Sequence, residues 1–282
     1  MLTPNQQQMV YWITERESIR LKKEVGLPAP WSDNPVMQET YFCNVNREDD
    51  NVTKWIRQNW VYGTTLFDVD SREFYDFAMI VARIFNRPET LEAINQPVDD
   101  FVWFDQAEEE LNQIKSSGGQ IWNGAYIIST NGKKMNKLDY CLEMLSKTAL
   151  PYITSNYLTL EGAHKRLMEV EGLASFLAGQ VVADLKNTKN HPLSTAEDWK
   201  TFSAHGPGSL RGLSWFFEEK ITSKNYQESI TKAYDLLDFE LPESILDVLC
   251  FQNLQNCFCE YDKFMRVTNK TGRSKRKYNG KG

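Results

Sequence analysis

Apolar residues recur at spacings of three and four along nearly the whole chain, and that periodicity restricts the fold more than any motif does. Segment 4–24 sets Met9, Val10, Ile13, Ile19 and Leu21 among charged neighbours, with Thr3 placed to cap the helix. SREFYDFAMIVARIF has a cap at Ser71 and a mostly apolar interior, so a helix at about 71–86 belongs in the centre of a core. Further helices are predicted at about 49–60, 103–116, 136–149, 159–168, 173–186, 195–203, 208–218, 223–238 and 243–266. Pro28, Pro30 and Pro35 forbid a helix through GLPAPWSDNP. QIWNGAYIISTNGKK interrupts the pattern: β-branched and aromatic residues lead into an Asn131-Gly132 turn, so a short strand or irregular segment is predicted near 121–132. The expected fold is mainly α, with two helical lobes. One is built on 60–170, the other on 1–59 plus 171–268, and 269–282 forms a basic, disordered tail.

Several function classes drop out. No apolar run approaches the ~20 residues of a membrane span, and MLTPNQQQMVYW lacks the charged and apolar regions of a secretory signal. The five cysteines, Cys43, Cys141, Cys250, Cys257 and Cys259, form no C-x-x-C pair and read as reduced thiols, which places the chain in the cytoplasm. There is no P-loop and no G-x-G-x-x-G after a strand. His164, His191 and His205 do not sit at metal-binding spacing, so no metal site is expected and a loosely held Mg²⁺ is the fallback. The net charge of −6 hides an asymmetry: Lys263–Gly282 holds eight basic residues and no acid. Such a tail suits DNA, whose phosphates release counterions when neutralised, or serves only as a solubilising extension.

Four segments could carry chemistry. In TYFCNVNREDDNVTKW, Asn44 offers an amide to a base edge, Arg47 a fork for phosphate, and Glu48, Asp49 and Asp50 carboxylates for substrate binding or proton transfer. Equally, acids at a helix start complement its dipole. In LEGAHKRLMEVEGLASFLAGQVVADL, two helices flank Gly172 in a loose helix-hairpin-helix, whose turn can present N–H groups to a DNA phosphate, or in an ordinary αα-hairpin. In AEDWKTFSAHGPGSLRGLSWF, the turn Gly206-Pro207-Gly208-Ser209 with Arg211 makes an anion site or a structural turn, and Asp198 stands upstream as an acid or base. In FQNLQNCFCEYDKFMRV, Gln252, Gln255, Cys259 and Lys263 share one helical face, with Asn256 and Glu260 beside them; they line a site or cap a lobe interface.

Taken together, KKEVGLPAPWSDNPVMQETYFCNVNREDDNVTKWI, GAYIISTNG, HGPGSLRGL and CFCEYDKFMRV resemble, in order and spacing, the motifs of the α-glutamyl/putrescinyl-thymine pyrophosphorylases from about residue 15 to 268. Cys43, Asn51 and residues 253–256 depart from that pattern. The resemblance implies a two-lobed, helical DNA-glycosylase-like (helix-hairpin-helix) fold and a phage enzyme of the host cytoplasm. It implies a reaction in which an amine, either an amino acid or a polyamine, displaces pyrophosphate from 5-(pyrophosphooxymethyl)uracil in double-stranded DNA, after a separate hydroxymethyluracil DNA kinase. On that basis Arg47, Arg211 and the Gly206, Gly208, Ser209 turn would hold phosphate or pyrophosphate, and Asn44 with Glu48 the base. Asp49, Asp50 or Asp198 would be the general base, and Glu260 and Lys263 would hold an amino acid. Gly172, Lys275, Arg276 and Lys277 would meet the DNA backbone. The alternatives are a glycosylase or lyase of the same superfold using Asp198, and a non-catalytic DNA-binding protein.

Overall fold

The computed structural model describes residues 1–62, 72–97, 100–123, 128–149 and 158–272, with the backbone alone at 72–74, 100 and 101. The fold is mainly helical, and no strand forms among the described residues. In chain order the helices are α1 (Pro4–Glu24), α2 (Pro35–Glu39) and α3 (Asn51–Ile56), which continues as a π turn, Arg57–Val61. Next come α4 (Arg72–Phe85), α5 (Pro88–Ile94), α6 (Asp100–Ser116) and α7 (Lys137–Met144), the last running into a π turn at Leu145–Ala149. Then follow α8 (Leu160–Leu167), α9 (Ser175–Lys186), α10 (Pro207–Phe217), α11 (Tyr226–Asp238), α12 (Glu243–Leu246) and α13 (Phe251–Thr268).

Local chemistry accounts for most boundaries. Thr3 and Gln6 form a reciprocal capping box at the start of α1. Pro35 does not prevent a helix; it opens one, because the first helical position needs no N–H. Asn131 and Gly132 both adopt positive φ in a turn closed by Lys133 N–H to the Thr130 carbonyl, while 124–127 and the expected cap Ser71 lie outside the described residues.

Two expectations differ from the structure. Residues 195–203 are not a helix; a 3-10 turn ends at Thr195 and a turn follows over 197–201. There Trp199 Nε1 donates to the Lys186 carbonyl and Lys186 Nζ to the Trp199 carbonyl, so side chains satisfy the backbone in place of a helical ladder. The helix expected over 243–266 is broken at 247–250. Phe251 N–H turns to the Lys200 carbonyl, and Asn253 Nδ2 takes up the Val248 carbonyl at 2.7 Å.

The chain divides into two compact units, Met1–Asp50 with Lys200–Gly282, and Asn51–Trp199. Residues 171–199, grouped with the termini in the sequence reading, fall in the second unit because α9 packs on α4 and α8.

The core of the first unit joins Met9, Trp12 and Ile13 of α1 to Leu213 and Phe216 of α10, Ile230 of α11, and Leu254, Phe258 and Phe264 of α13. Each such side chain contributes about 1.5–3 kcal/mol on burial. α10 and α13 make the closest contact, and two glycines permit it. A Cβ on Gly212 would lie 2.0 Å from the Phe258 carbonyl oxygen, and one on Gly208 2.4 Å from Cys259 Sγ.

In the second unit α4 is buried on nearly all sides from Phe77 to Phe85, as its apolar run predicts. Within it, Arg83 makes a two-pronged pair with the buried Asp184 of α9, at 2.5 and 2.6 Å. Arg83 also donates to Thr53, and Arg57 to Thr188.

Candidate functional site

In the first unit, residues 40–50 pass along α13 and fold back on themselves. Phe42 and Val45 anchor this segment in the core. Cys43 N–H donates to the Glu260 carboxylate at 3.1 Å, and Arg47 N–H to Asn253 Oδ1 at 3.4 Å. Asn46 caps the 3-10 turn Arg47–Asp49. Asp50 then returns to Asn44, accepting its backbone N–H at 2.9 Å and its Nδ2 at 3.1 Å. Arg16 reaches in from α1, donating from Nε to the Cys43 carbonyl at 3.0 Å and from Nη2 to Asn44 Oδ1 at 2.5 Å. Lys263 Nζ lies 2.6 Å from Glu260, donates to the Tyr41 carbonyl and stands 5.2 Å above the Phe42 ring.

This setting tunes its groups. Burial pushes the Asp50 carboxyl up to about 6, against the pull of the Asn44 N–H and of Arg47 and Arg16, with Glu260 adding to the rise. Asp50 therefore ionises near neutrality and can take up a proton there. Burial, with Glu260 and Asp50 nearby, holds the Cys43 thiol well above its usual range, and burial with Glu260 raises Cys259 to about 11. Both thiols stay protonated, so neither is a ready nucleophile.

Against the same face of Arg16 lies a cleft of about 350 Å³, walled by Lys23, Trp31, Met37, Tyr41 and Phe42 among others. Lys23 Nζ sits 4.6 Å above the Trp31 ring, its pKa lowered by burial and by Arg16.

The structure redistributes the residues singled out from sequence. Asn44, Asp49, Asp50, Arg47, Glu48, Glu260 and Lys263 come together in one segment and the helix face behind it. Asn44, expected to read a base edge, has both amide hydrogens committed to Asp49 and Asp50 and its oxygen to Arg16; it holds the loop. Arg47 is buried with its guanidinium 3.8 Å from Glu48, which removes it as an exposed phosphate fork. Asp49 lies 3.6 Å from Arg20.

The turn before α10 is a helix cap and a packing surface rather than an open anion cradle. The buried Ser209 Oγ accepts the Gly206 N–H and donates to the Gly206 carbonyl, Gly208 faces Cys259, and Arg211 pairs with Asp262 at 2.9 Å. Asp198, offered as a general base, accepts the N–H groups of Leu160 and Glu161 at 2.8 and 2.9 Å, so both oxygens cap α8. Gly172 takes a φ of +90° between α8 and α9, with Tyr140 Oη 3.0 Å from where a Cβ would stand. Lys275, Arg276 and Lys277 lie outside the described residues. Among the described residues no cluster of His, Cys, Asp and Glu could hold a metal, and no helix is long and apolar enough to cross a membrane.

Sequence reasoning missed Arg16, Lys23 and the Arg83–Asp184 pair. A signal for Arg16 existed: it falls in register with Met9, Trp12, Ile13 and Ile19, a charge inside an apolar stripe. For Arg83 the signal was a guanidinium in an otherwise apolar run, which needs a buried partner.

Comparison with known proteins bears on this arrangement. The family described as "5-hmdU DNA kinase, helical domain" matches residues 3–274, nearly the whole chain. The chain belongs to that family. It is also similar to the 5-hmdU DNA kinase of Bacillus phage SP10, at 24% identity over 226 residues, covering 73% of this chain and 35% of that protein. This helical-domain family member thus spans about a third of its relative's length. No solved structure matches it. Both names refer to 5-hmdU DNA kinases; neither names the pyrophosphorylases or transfer to an amine.

Proposed function

We infer that this helical-domain protein acts on DNA after the hydroxymethyl group of 5-hmdU has been pyrophosphorylated, replacing pyrophosphate on the 5-methylene carbon by an amine. The observation that supports this best is Asp50, a half-buried carboxyl with a pKa near 6, set among Arg16, Glu260 and Lys263 in the longest of the motifs shared with the pyrophosphorylases. The chain has no P-loop for the phosphorylation itself, which fits a division of labour with a separate kinase domain.

In the reaction, the C–O bond to pyrophosphate breaks with its electron pair leaving on oxygen. The amine nitrogen forms the C–N bond, and its proton passes to Asp50. The target base is turned out of the duplex so that the methylene can be reached. Arg16 and Lys263 provide positive charge for the departing anion. Asn44 orients Asp50, and Glu260 orients Lys263. The partners on this reading are double-stranded DNA carrying the modified uracil and a free amino acid or polyamine. The glycosylase alternative has less support, since its carboxylate, Asp198, accepts two N–H groups of α8.

The test is mass spectrometry of nucleosides from DNA bearing 5-(pyrophosphooxymethyl)uracil after incubation with the protein and mixed amines. An amine-adducted nucleoside with stoichiometric pyrophosphate supports the reading. Abasic sites would replace it with base excision, and unchanged nucleosides with a binding role.

A further inference from the structure

The Arg16 cleft carries an inference about what it holds. Arg16 is 8% exposed, and its Nη1 has no hydrogen-bond partner. Its other nitrogens meet a carbonyl and an amide oxygen, and it forms no ion pair among the described residues. Asp50 is a nearby counter-charge but is reached only through the shared Asn44 side chain, and a buried guanidinium with an unbonded nitrogen and no carboxylate in contact is costly unless a further partner arrives. The cleft that Arg16 lines is large enough for a small organic ligand. Lys23 adds a second cation, and no Asp or Glu stands in the wall. The remainder of the wall is largely apolar and aromatic, with Trp31, Met37 and Phe42 offering a surface for a flat ring.

These features discriminate between ligands. An α-amino acid would bring its own ammonium into a wall with two cations and no acid, which is unfavourable. A polyamine would be repelled outright. A phosphoryl group carries close to two negative charges and matches Arg16 with Lys23.

We propose that this cleft is the pocket for a phosphorylated pyrimidine, with the phosphoryl group at the end lined by Arg16 and Lys23 and the ring against the Trp31 wall. The amine donor would then approach from the Asp50 and Glu260 side. The proposal rests on the functional reading above but can fail separately from it.

NMR titrations following the indole N–H of Trp31 test it, with thymidine 5′-monophosphate, inorganic pyrophosphate, thymidine, glutamate and putrescine as probes. Trp31→Phe assigns the signal. The expected result is binding of the nucleotide and of pyrophosphate, and no saturable binding of glutamate or putrescine. Affinity for both phosphoryl probes should fall about tenfold to a hundredfold in Arg16→Lys and about tenfold in Lys23→Gln. The half-buried Lys23 keeps the test available should Arg16→Lys perturb the loop. Saturable glutamate binding with the same dependence would overturn the proposal and make the cleft the donor site. Absence of phosphoryl binding would also overturn it. Amine transfer measured in parallel separates the two claims. Transfer that is indifferent to Lys23→Gln sinks the pocket and leaves the reaction. Phosphoryl binding without transfer keeps the pocket and sinks the reaction.

Discussion

Replacing Asp50 by Asn should make the protein more stable and remove its chemistry. Asp50 is displaced from 3.8 to about 6, chiefly because burial penalises its ionised form. At 1.36 kcal/mol per pH unit this carries a cost of about 3 kcal/mol once the carboxylate is ionised, an upper bound because some water reaches the group. The sign follows from the raised value. The folded state binds the proton more tightly than the unfolded chain, so the cost is absent below about pH 4, grows between about 4 and 6, and is fully present above about 7. Asn keeps an oxygen at the position that accepts the Asn44 backbone N–H, so the loop is retained in the variant. Urea unfolding should therefore show Asp50→Asn more stable than the parent by up to about 3 kcal/mol at pH 8, by about half that at pH 5, and by almost nothing near pH 4. Amine transfer by the parent should rise with pH through a midpoint near 6, and the variant should lose it by orders of magnitude. A variant equally stable at every pH would refute the burial account. Transfer surviving in Asp50→Asn would refute its role as base.

Gly212→Ala should lower stability by about 1–3 kcal/mol or more, because its Cβ meets the Phe258 carbonyl oxygen at 2.0 Å and α10 must move away from α13. A melting curve checks this, and an undisturbed melt with lost transfer would return the turn to the phosphate-binding role. Asp198→Ala should cost about 0.5–2 kcal/mol through the lost cap on α8 while transfer continues; abolished chemistry without loss of stability would revive it as a base. Cys43, Cys257 and Cys259 should resist iodoacetamide in the folded protein at pH 8, since burial raises all three thiols, and rapid adduct formation at Cys43 by mass spectrometry would contradict that.

The helices were legible because periodicity and caps are local. Thr3 with Gln6, the apolar run of α4, and Asn131-Gly132 each act within a few residues. Where the reading failed, long-range partners decided. Trp199 and Lys186 exchange bonds across 195–203, and the Lys200 carbonyl captures Phe251 N–H where a continuous helix was expected. The site was legible as a segment but not as a set of roles. Asn44, Arg47, Ser209 and Asp198 have functional chemistry by residue type, yet hydrogen bonds, or for Arg47 burial beside Glu48, engage it.

The sequence by itself determined that this chain is helical and singled out the 40–50 and 251–267 segments, which the fold brings together, along with a resemblance to one family of DNA-modifying enzymes. These are properties of pattern and order. Tertiary structure alone decided which polar groups remain available. It spends Asn44 on the loop, folds Asp198 into a helix cap, uses Gly208 and Gly212 of α10 for helix contact, and leaves the buried Arg16 Nη1 unpaired. The physical reason is that a buried donor or acceptor must be satisfied by whatever the fold brings beside it, and those neighbours can lie far away in the chain, 217 residues apart for Cys43 and Glu260.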